Sequence, residues 1–226
     1  MPILETRSIS KTYTAGKRRI AVLDSVSLAV ADGEFLVVQG ESGSGKSTLL
    51  SILSGLDSVD SGRVLIDSED ITDLSEDDLA PLRNSFFGFV FQSFHLIPSL
   101  TALENIMFPA ELRGDALARQ KAEELLSRVG LSDRGASFPH QLSGGEKQRC
   151  AICRALVNDP RIIFADEPTG NLDSMNGAAV LALLLELHQE RRTTLVLVTH
   201  SSEIAAKAGR VVLLKDGRIA SGKDHA

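Results

Sequence analysis

The sequence predicts an α/β fold: a parallel-sheet core around a phosphate-binding loop, an N-terminal antiparallel β lobe and an inserted α-helical lobe. Three observations carry this. The glycine-rich stretch GESGSGKST (Gly40–Thr48) sits between an apolar strand pattern and a helical one. Strand and helix patterns alternate from Gly144 onward. Ahead of the loop, Ile3–Tyr13 and Val22–Val30 alternate apolar and polar residues as half-buried strands do.

Taken in order, GEFLVVQG (Gly33–Gly40) is a continuous apolar run between glycines, the pattern of a buried strand. KSTLLSILSGL has helical spacing and ends at Gly55. Gly62–Ile66 reads as a strand of the same lobe as the first two. SEDD (Ser75–Asp78) and TALE (Thr101–Glu104) fit the capping-box pattern, in which a hydroxyl and a carboxylate satisfy each other's backbone N–H. Ala116–Val129 is predicted to be a helix, with Gly130 as its C-cap. Ser75–Gly130 therefore reads as a mostly helical insertion. Helices over Gly144–Asn158 and Ser174–Arg191 then alternate with strands over Arg161–Ala165 and Thr194–Thr199. Pro160 stops the first of these helices. A last hairpin, VVLLKDGRIA, turns at Asp216-Gly217.

The chain has 226 residues, suited to one large domain or two small lobes sharing a core. Its net charge of −6 argues against bulk binding to nucleic acid, which usually needs a basic excess. The opening MPILETRSIS lacks the long apolar stretch of a secretory leader. The longest apolar run, Ala178–Leu185, is far short of the ~20 residues that span a bilayer. The expectation is a cytosolic protein unless something else holds it to a membrane. Two cysteines, Cys150 and Cys153, form C-x-x-C in a helical pattern. One such pair does not complete a zinc site, so they read as buried helix packing.

The loop carries chemistry because of its residue types. Its spacing is G-x-x-x-x-G-K-[ST]. Gly40, Gly43 and Gly45 let backbone N–H groups curl around a phosphate, with Glu41, Ser42 and Ser44 between them. Lys46 brings a point charge to β/γ oxygens, the Ser47 hydroxyl can ligate Mg²⁺, and Thr48 leads into the helix. Glu41 is tolerable there only with its side chain turned away. RIIFADEP places Asp166 and Glu167 at the C-terminal end of a strand, the edge where open α/β sheets bind ligands. Asp166 suits the Mg²⁺ shell, and Glu167 suits polarising a water for attack on a γ-phosphate. His200 ends LVLVTH and can donate to the γ-phosphate. Gln92 follows an apolar strand and is either a Mg²⁺ or water contact or a polar loop residue. Tyr13 either stacks on adenine or packs on its own sheet.

The stretch HQLSGGEKQRCAICRAL (His140–Leu156) opens a basic helix with two glycines. Such a helix end is an anion site, and Ser143 adds a hydroxyl. With the lysine loop and the carboxylates, LSGGE (Leu142–Glu146) resembles the signature of the nucleotide-binding subunits of ABC transporters, over nearly the whole chain. The resemblance implies a single ATP-binding domain over 1–226 with a P-loop NTPase core. Core and β lobe would take about 1–74 and 158–226, and the helical lobe about 75–157. It implies ATP and Mg²⁺ as cofactors, a head-to-tail homodimer, and Leu142, Ser143, Gly144, Gly145, Glu146 and Asp173 completing the ATP site of the second copy. Tyr13 matches the adenine-stacking aromatic, Gln92 the lid glutamine, Asp166 the magnesium aspartate, Glu167 the catalytic glutamate and His200 the switch histidine. NLD (Asn171–Asp173) resembles the loop that crosses the dimer interface. Two positions depart: Glu146 stands where many members have Gln, and Ser201 where Asp is common.

Within the family, FVFQSFHLIPSLTALENIMFPAELRG and DEPTGNLD look like the lipoprotein-release and macrolide-export group. That implies export driven through a separate membrane permease docking near Gln92–Arg113, on the cytoplasmic face of the inner membrane. Cell-division ATPases of the FtsE type, which regulate a membrane partner without transport, are the alternative. A soluble ABC ATPase for DNA repair or translation fits less well. Lys46 and Ser143 are too close for an inserted coiled coil, and only one cassette is present.

Overall fold

The computed structural model describes residues 1–16 and 18–224. In chain order the elements are β1 (Pro2–Ala15), β2 (Arg18–Ala31), β3 (Phe35–Gln39), α1 (Lys46–Leu53), β4 (Ser61–Ile66), β5 (Glu69–Asp70), α2 (Glu76–Phe86) and β6 (Phe87–Phe91). Then follow α3 (Ala102–Leu112), α4 (Ala118–Arg128), α5 (Gly144–Leu156), β7 (Ile162–Asp166), α6 (Ser174–Arg191), β8 (Thr194–Thr199), α7 (Ser202–Ala205), β9 (Arg210–Lys215) and β10 (Arg218–Asp224). The chain divides into two compact units, residues 1–83 with 194–226, and residues 84–193.

The first unit holds two sheets. The antiparallel lobe has strand order β2-β1-β4-β5, with Gly62–Ile66 paired to β1 as its pattern predicts. β1 and β2 run longer than their alternation suggests. The β1–β2 register shifts between Thr6 and Ile9, and Ser8 and Ser25 take positive φ of 48° and 53°. Such bulges break the two-residue period in the sequence while keeping the ladder.

In the second sheet, β3 pairs in parallel with both β8 and β9, and β9 pairs antiparallel with β10. β3 and β8 are buried almost throughout, as strands covered on both faces must be. The β9–β10 turn has Asp216 at φ 48° and Gly217 at φ 74°, the two positive values a tight hairpin demands. A Cβ on Gly217 would lie 2.4 Å from the Val22 carbonyl oxygen, so glycine is required for packing as well.

The second unit is a helical body around a short parallel pair. β6 and β7 align with Phe91 opposite Asp166. The apolar strand expected before Gln92 is Phe87–Phe91, lying between α2 and α3 within the stretch read as mostly helical. Gly88 fits there because a Cβ would sit 2.4 Å from the Ala155 carbonyl oxygen of α5. The Thr101 capping box of α3 forms as its sequence predicts. Predicted helix ends shift by a few residues: α4 starts at Ala118 rather than Ala116, and α5 stops at Leu156.

Candidate active site

In the first unit the phosphate loop leaves β3 and enters α1 through Gly45, whose φ of 101° is open only to glycine without strain. A Cβ on Gly40 would come 2.3 Å from the Leu214 carbonyl oxygen, and one on Gly45 2.8 Å from that of Val22. Gly217 of the hairpin turn donates to the Ser44 carbonyl oxygen at 3.1 Å, so the last hairpin braces the loop. Lys46 is buried and donates to the Gly40 and Glu41 carbonyl oxygens, both at 2.9 Å. Glu41, Ser42 and Ser47 are exposed, while Thr48 is half-buried. Ser44 is buried, and its hydroxyl is without a hydrogen-bond partner among the described residues. His200 follows Thr199, which is in register with Gln39, so it leaves the same edge of the sheet as Gly40.

Tyr13 is 40% exposed, with its hydroxyl donating to Asp57 at 2.5 Å. Lys11 donates to the same carboxylate at 2.7 Å and lies 5.3 Å from the Tyr13 ring centre. Burial works to raise the Asp57 carboxyl, but the bonds from Lys11 and Tyr13 outweigh it and hold it below the usual carboxylate range. Asp57, just beyond α1, thus anchors the half-exposed Tyr13 ring through its hydroxyl, with Lys11 over the ring. No local pattern in the sequence links Asp57 to Tyr13.

In the second unit the register of β6 with β7 brings Gln92 and Glu167 off one sheet edge. Glu167 has φ 44°, a left-handed conformation rare outside glycine and often found where function imposes it. Its carbonyl oxygen accepts from Gly170 at 3.0 Å, closing a turn. The Gln92 amide donates to Asn171 Oδ1 at 3.1 Å, and Asn171 Nδ2 donates to the Gln92 carbonyl oxygen at 3.0 Å. Asp173 caps α6, accepting from the Asn176 backbone at 2.9 Å and from its side chain at 2.6 Å. Those bonds hold the Asp173 carboxyl below the usual range.

The glycine-headed helix is now explicit. Ser143 is the N-cap of α5 in a reciprocal capping box. The Glu146 N–H donates to Ser143 Oγ at 3.3 Å, and the Ser143 N–H donates to Glu146 Oε2 at 2.8 Å. Of the four N–H groups a helix start leaves open, the box takes two. Gly144 and Gly145 hold the other two, so the anion site reduces to that pair with the Ser143 hydroxyl. Leu142 is buried behind it. Glu146, the departure from Gln, is bonded by Ser143 and by Arg134 at 3.0 Å and is held below the usual carboxylate range, chiefly by the Ser143 backbone.

Further along α5, buried Gln148 donates to the Pro168 carbonyl oxygen at 2.7 Å, and Arg154 donates to those of Phe94 and His95. Phe94 and His95 both sit at positive φ, so one helix pins the turn after Glu167 and a strained segment after Gln92. Neither Gln148 nor Arg154 carries a sequence signal beyond lying three or more residues inside a helix.

Cys150 and Cys153 are fully buried free thiols on this helix. Burial pushes the Cys150 thiol up to about 12, and Cys153 higher still. Since the thiolate is the reactive form, native protein at pH 8 is expected to resist iodoacetamide, and both thiols should react after denaturation. Rapid labelling of the native chain would show that they are not simply packing.

A groove of about 820 Å³ runs beside α3 and α4, lined among others by Leu103, Met107, Phe108 and Leu126 with Glu111 and Arg119. Of the apolar residues between Gln92 and Arg113, Ile106 is core, whereas Phe108 and Leu112 are exposed.

A model of the ABC transporter family matches residues 23–170. The chain belongs to the ABC transporter family. It is 47% identical to the lipoprotein-releasing system ATP-binding protein LolD of Xanthomonas axonopodis pv. citri, over 96% of this chain and 90% of that one. It is 48% identical to the macrolide export ATP-binding/permease protein MacB of Chlorobium phaeobacteroides, covering all of this chain but only 34% of that protein. The dimeric ATP-binding cassette MJ0796 bound to ADP and Pi superposes with a TM-score of 0.90 at 41% identity, over 98% of both chains. The cassette is thus an ATP-binding ATPase of this family, with the mixed α/β architecture its sequence predicts. No helix among the described residues is long and apolar enough to cross a membrane.

Proposed function

We propose that the chain is the ATP-hydrolysing subunit of a transporter, that two copies close around two ATP, and that closure drives a separate membrane permease. The observation that carries this is the start of α5: two glycine N–H groups and a serine hydroxyl form an anion site on a helix that carries no phosphate loop of its own. Its natural ligand is the γ-phosphate held by a second copy. The dimeric form of MJ0796 supports the same reading.

Lys46 and the loop N–H groups take the β- and γ-phosphate oxygens, Tyr13 stacks on adenine, and Glu167 takes a proton from the attacking water. His200 donates to the γ-phosphate, and Asp173 shapes the loop facing the second copy. Ser47, Asp166 and Gln92 are oxygen donors suited to Mg²⁺. Among the described residues no three His, Cys, Asp or Glu side chains cluster as a metal cage. When bound with ATP, Mg²⁺ neutralises phosphate charge and orients the transferred group. The buried Ser44 hydroxyl, without a hydrogen-bond partner among the described residues, agrees with a phosphate-facing role.

The groove beside α3, with exposed Phe108 and Leu112, is the docking face for the permease, within the region Gln92–Arg113. Movement of α5 reaches that region through Arg154. The relatives named for lipoprotein release and macrolide export support cargo of that kind, and docking to a permease assigns the chain to the cytoplasmic face of the inner membrane. A photocrosslinker at Leu112, 66% exposed, is expected to capture an integral membrane protein from intact membranes. Recovery of the chain without one would remove the permease reading and leave the ATPase. Transport of cargo by the reconstituted pair separates export from purely mechanical regulation.

A further inference from the structure

Gln92 and Asn171 are bonded to each other twice, once through the Gln92 side chain and once through its backbone. The sequence separates them by 79 residues, and the structure makes them a closed ring. Three features hold the ring in place. Phe91 is in register with Asp166, so Gln92 emerges beside the turn that carries Glu167. Gly170 leaves the space the amide fills, since a Cβ there would lie 2.7 Å from Gln92 Nε2. Gln148, buried in α5, ties the Pro168 carbonyl oxygen and so fixes the turn itself.

An amide has one end that donates and one that accepts. Only the oxygen binds a cation, and only the oxygen accepts a hydrogen bond from water's O–H. In this ring the donor end is committed to Asn171 Oδ1. The Asn171 Nδ2 bond to the Gln92 carbonyl oxygen fixes the backbone from which the side chain springs. A freely rotating glutamine would present either end.

We propose that Asn171 is a positioning residue for Gln92: by engaging Nε2 it keeps Oε1 as the end offered to the metal and attacking water, and it joins Gln92 to the loop that carries Asp173. This rests on the role given to Gln92 above. This role requires of Asn171 no contact of its own with nucleotide or metal. Because Asp173 caps α6 two residues later, a shift of the loop on meeting a second copy also moves the Gln92 amide.

The test is a double-mutant cycle on the full chain with Gln92→Ala, Asn171→Ala and the pair, read by ATPase kinetics and by the side-chain amide NMR signals of Gln92 in nucleotide-free protein. Asn171→Ala is expected to lower kcat about 5-fold or more with KM for ATP within about two-fold. It is also expected to move the Gln92 amide signals toward those of a free amide, and to add nothing in the Gln92→Ala background. If Gln92→Ala lowers kcat while Asn171→Ala changes neither kcat nor the Gln92 signals, the positioning role is wrong and the role of Gln92 stands. If the two losses multiply, Asn171 acts by another route and the inference falls. If Gln92→Ala leaves kcat unchanged, the role of Gln92 fails and the inference fails with it.

Discussion

Replacing Glu167 with Gln is expected to slow ATP hydrolysis by about 10²- to 10⁴-fold, the usual worth of a general base, while Mg-ATP still binds. The substitution keeps the shape and hydrogen-bonding reach of the side chain and removes only its ability to take a proton. Held by the Gly170 bond at φ 44°, the backbone should accept Gln as it accepts Glu. ATP that binds but does not turn over favours whichever state holds it best, so the chain should accumulate as a dimer. Phosphate release and light scattering with saturating Mg-ATP check both halves. A variant that stays monomeric would argue against a shared site in the isolated subunit, whatever its rate.

Gly145→Asp is the second large effect. A Cβ at this position would approach Asn176 Oδ1 to 2.7 Å, and Asn176 is itself fastened to Asp173. The new carboxylate also puts negative charge at the helix end proposed to receive a γ-phosphate, reversing the favourable field there. Hydrolysis is expected to fall about 10²-fold or more, and the ATP-dependent dimer of Glu167→Gln should disappear in the double variant. Binding of ATP to the monomer should stay within about two-fold, because the loop from Gly40 to Thr48 is untouched. Loss of monomer binding would place Gly145 on the chain's own nucleotide instead.

Where chemistry and local geometry coincide, the sequence was readable. Gly40–Thr48 needs glycines at fixed places, Asp216-Gly217 needs two positive φ values, and Thr101 announces its capping box, whereas the box of Ser143 with Glu146 comes from the structure alone. An apolar strand ahead of Gln92 is legible in the sequence, but its start at Phe87 is not, because a short strand buried against α5 has no alternation to mark its end. β1 and β2 were underestimated at their ends, where residues such as Arg18–Ala21 are all exposed and show no apolar–polar alternation. Asp57, Gln148 and Arg154 were missed for a common reason. Each acts on a distant backbone or hydroxyl, and such pairings are set by the tertiary fold rather than by neighbours in the chain. Asn171 is legible as part of NLD, but its bond to Gln92 is of the same long-range kind.

The central claim is that LSGGE on one chain serves the phosphate loop of another, and mixing two disabled chains tests it most directly. Lys46→Ala disables the loop and spares Ser143–Gly145; Gly145→Asp does the reverse. In a head-to-tail dimer the mixed pair carries one site with both defects and one intact site. An equimolar mixture, inactive as separate components, is expected to regain ATP hydrolysis. A mixture no more active than its parts would contradict it and place LSGGE in service of its own chain.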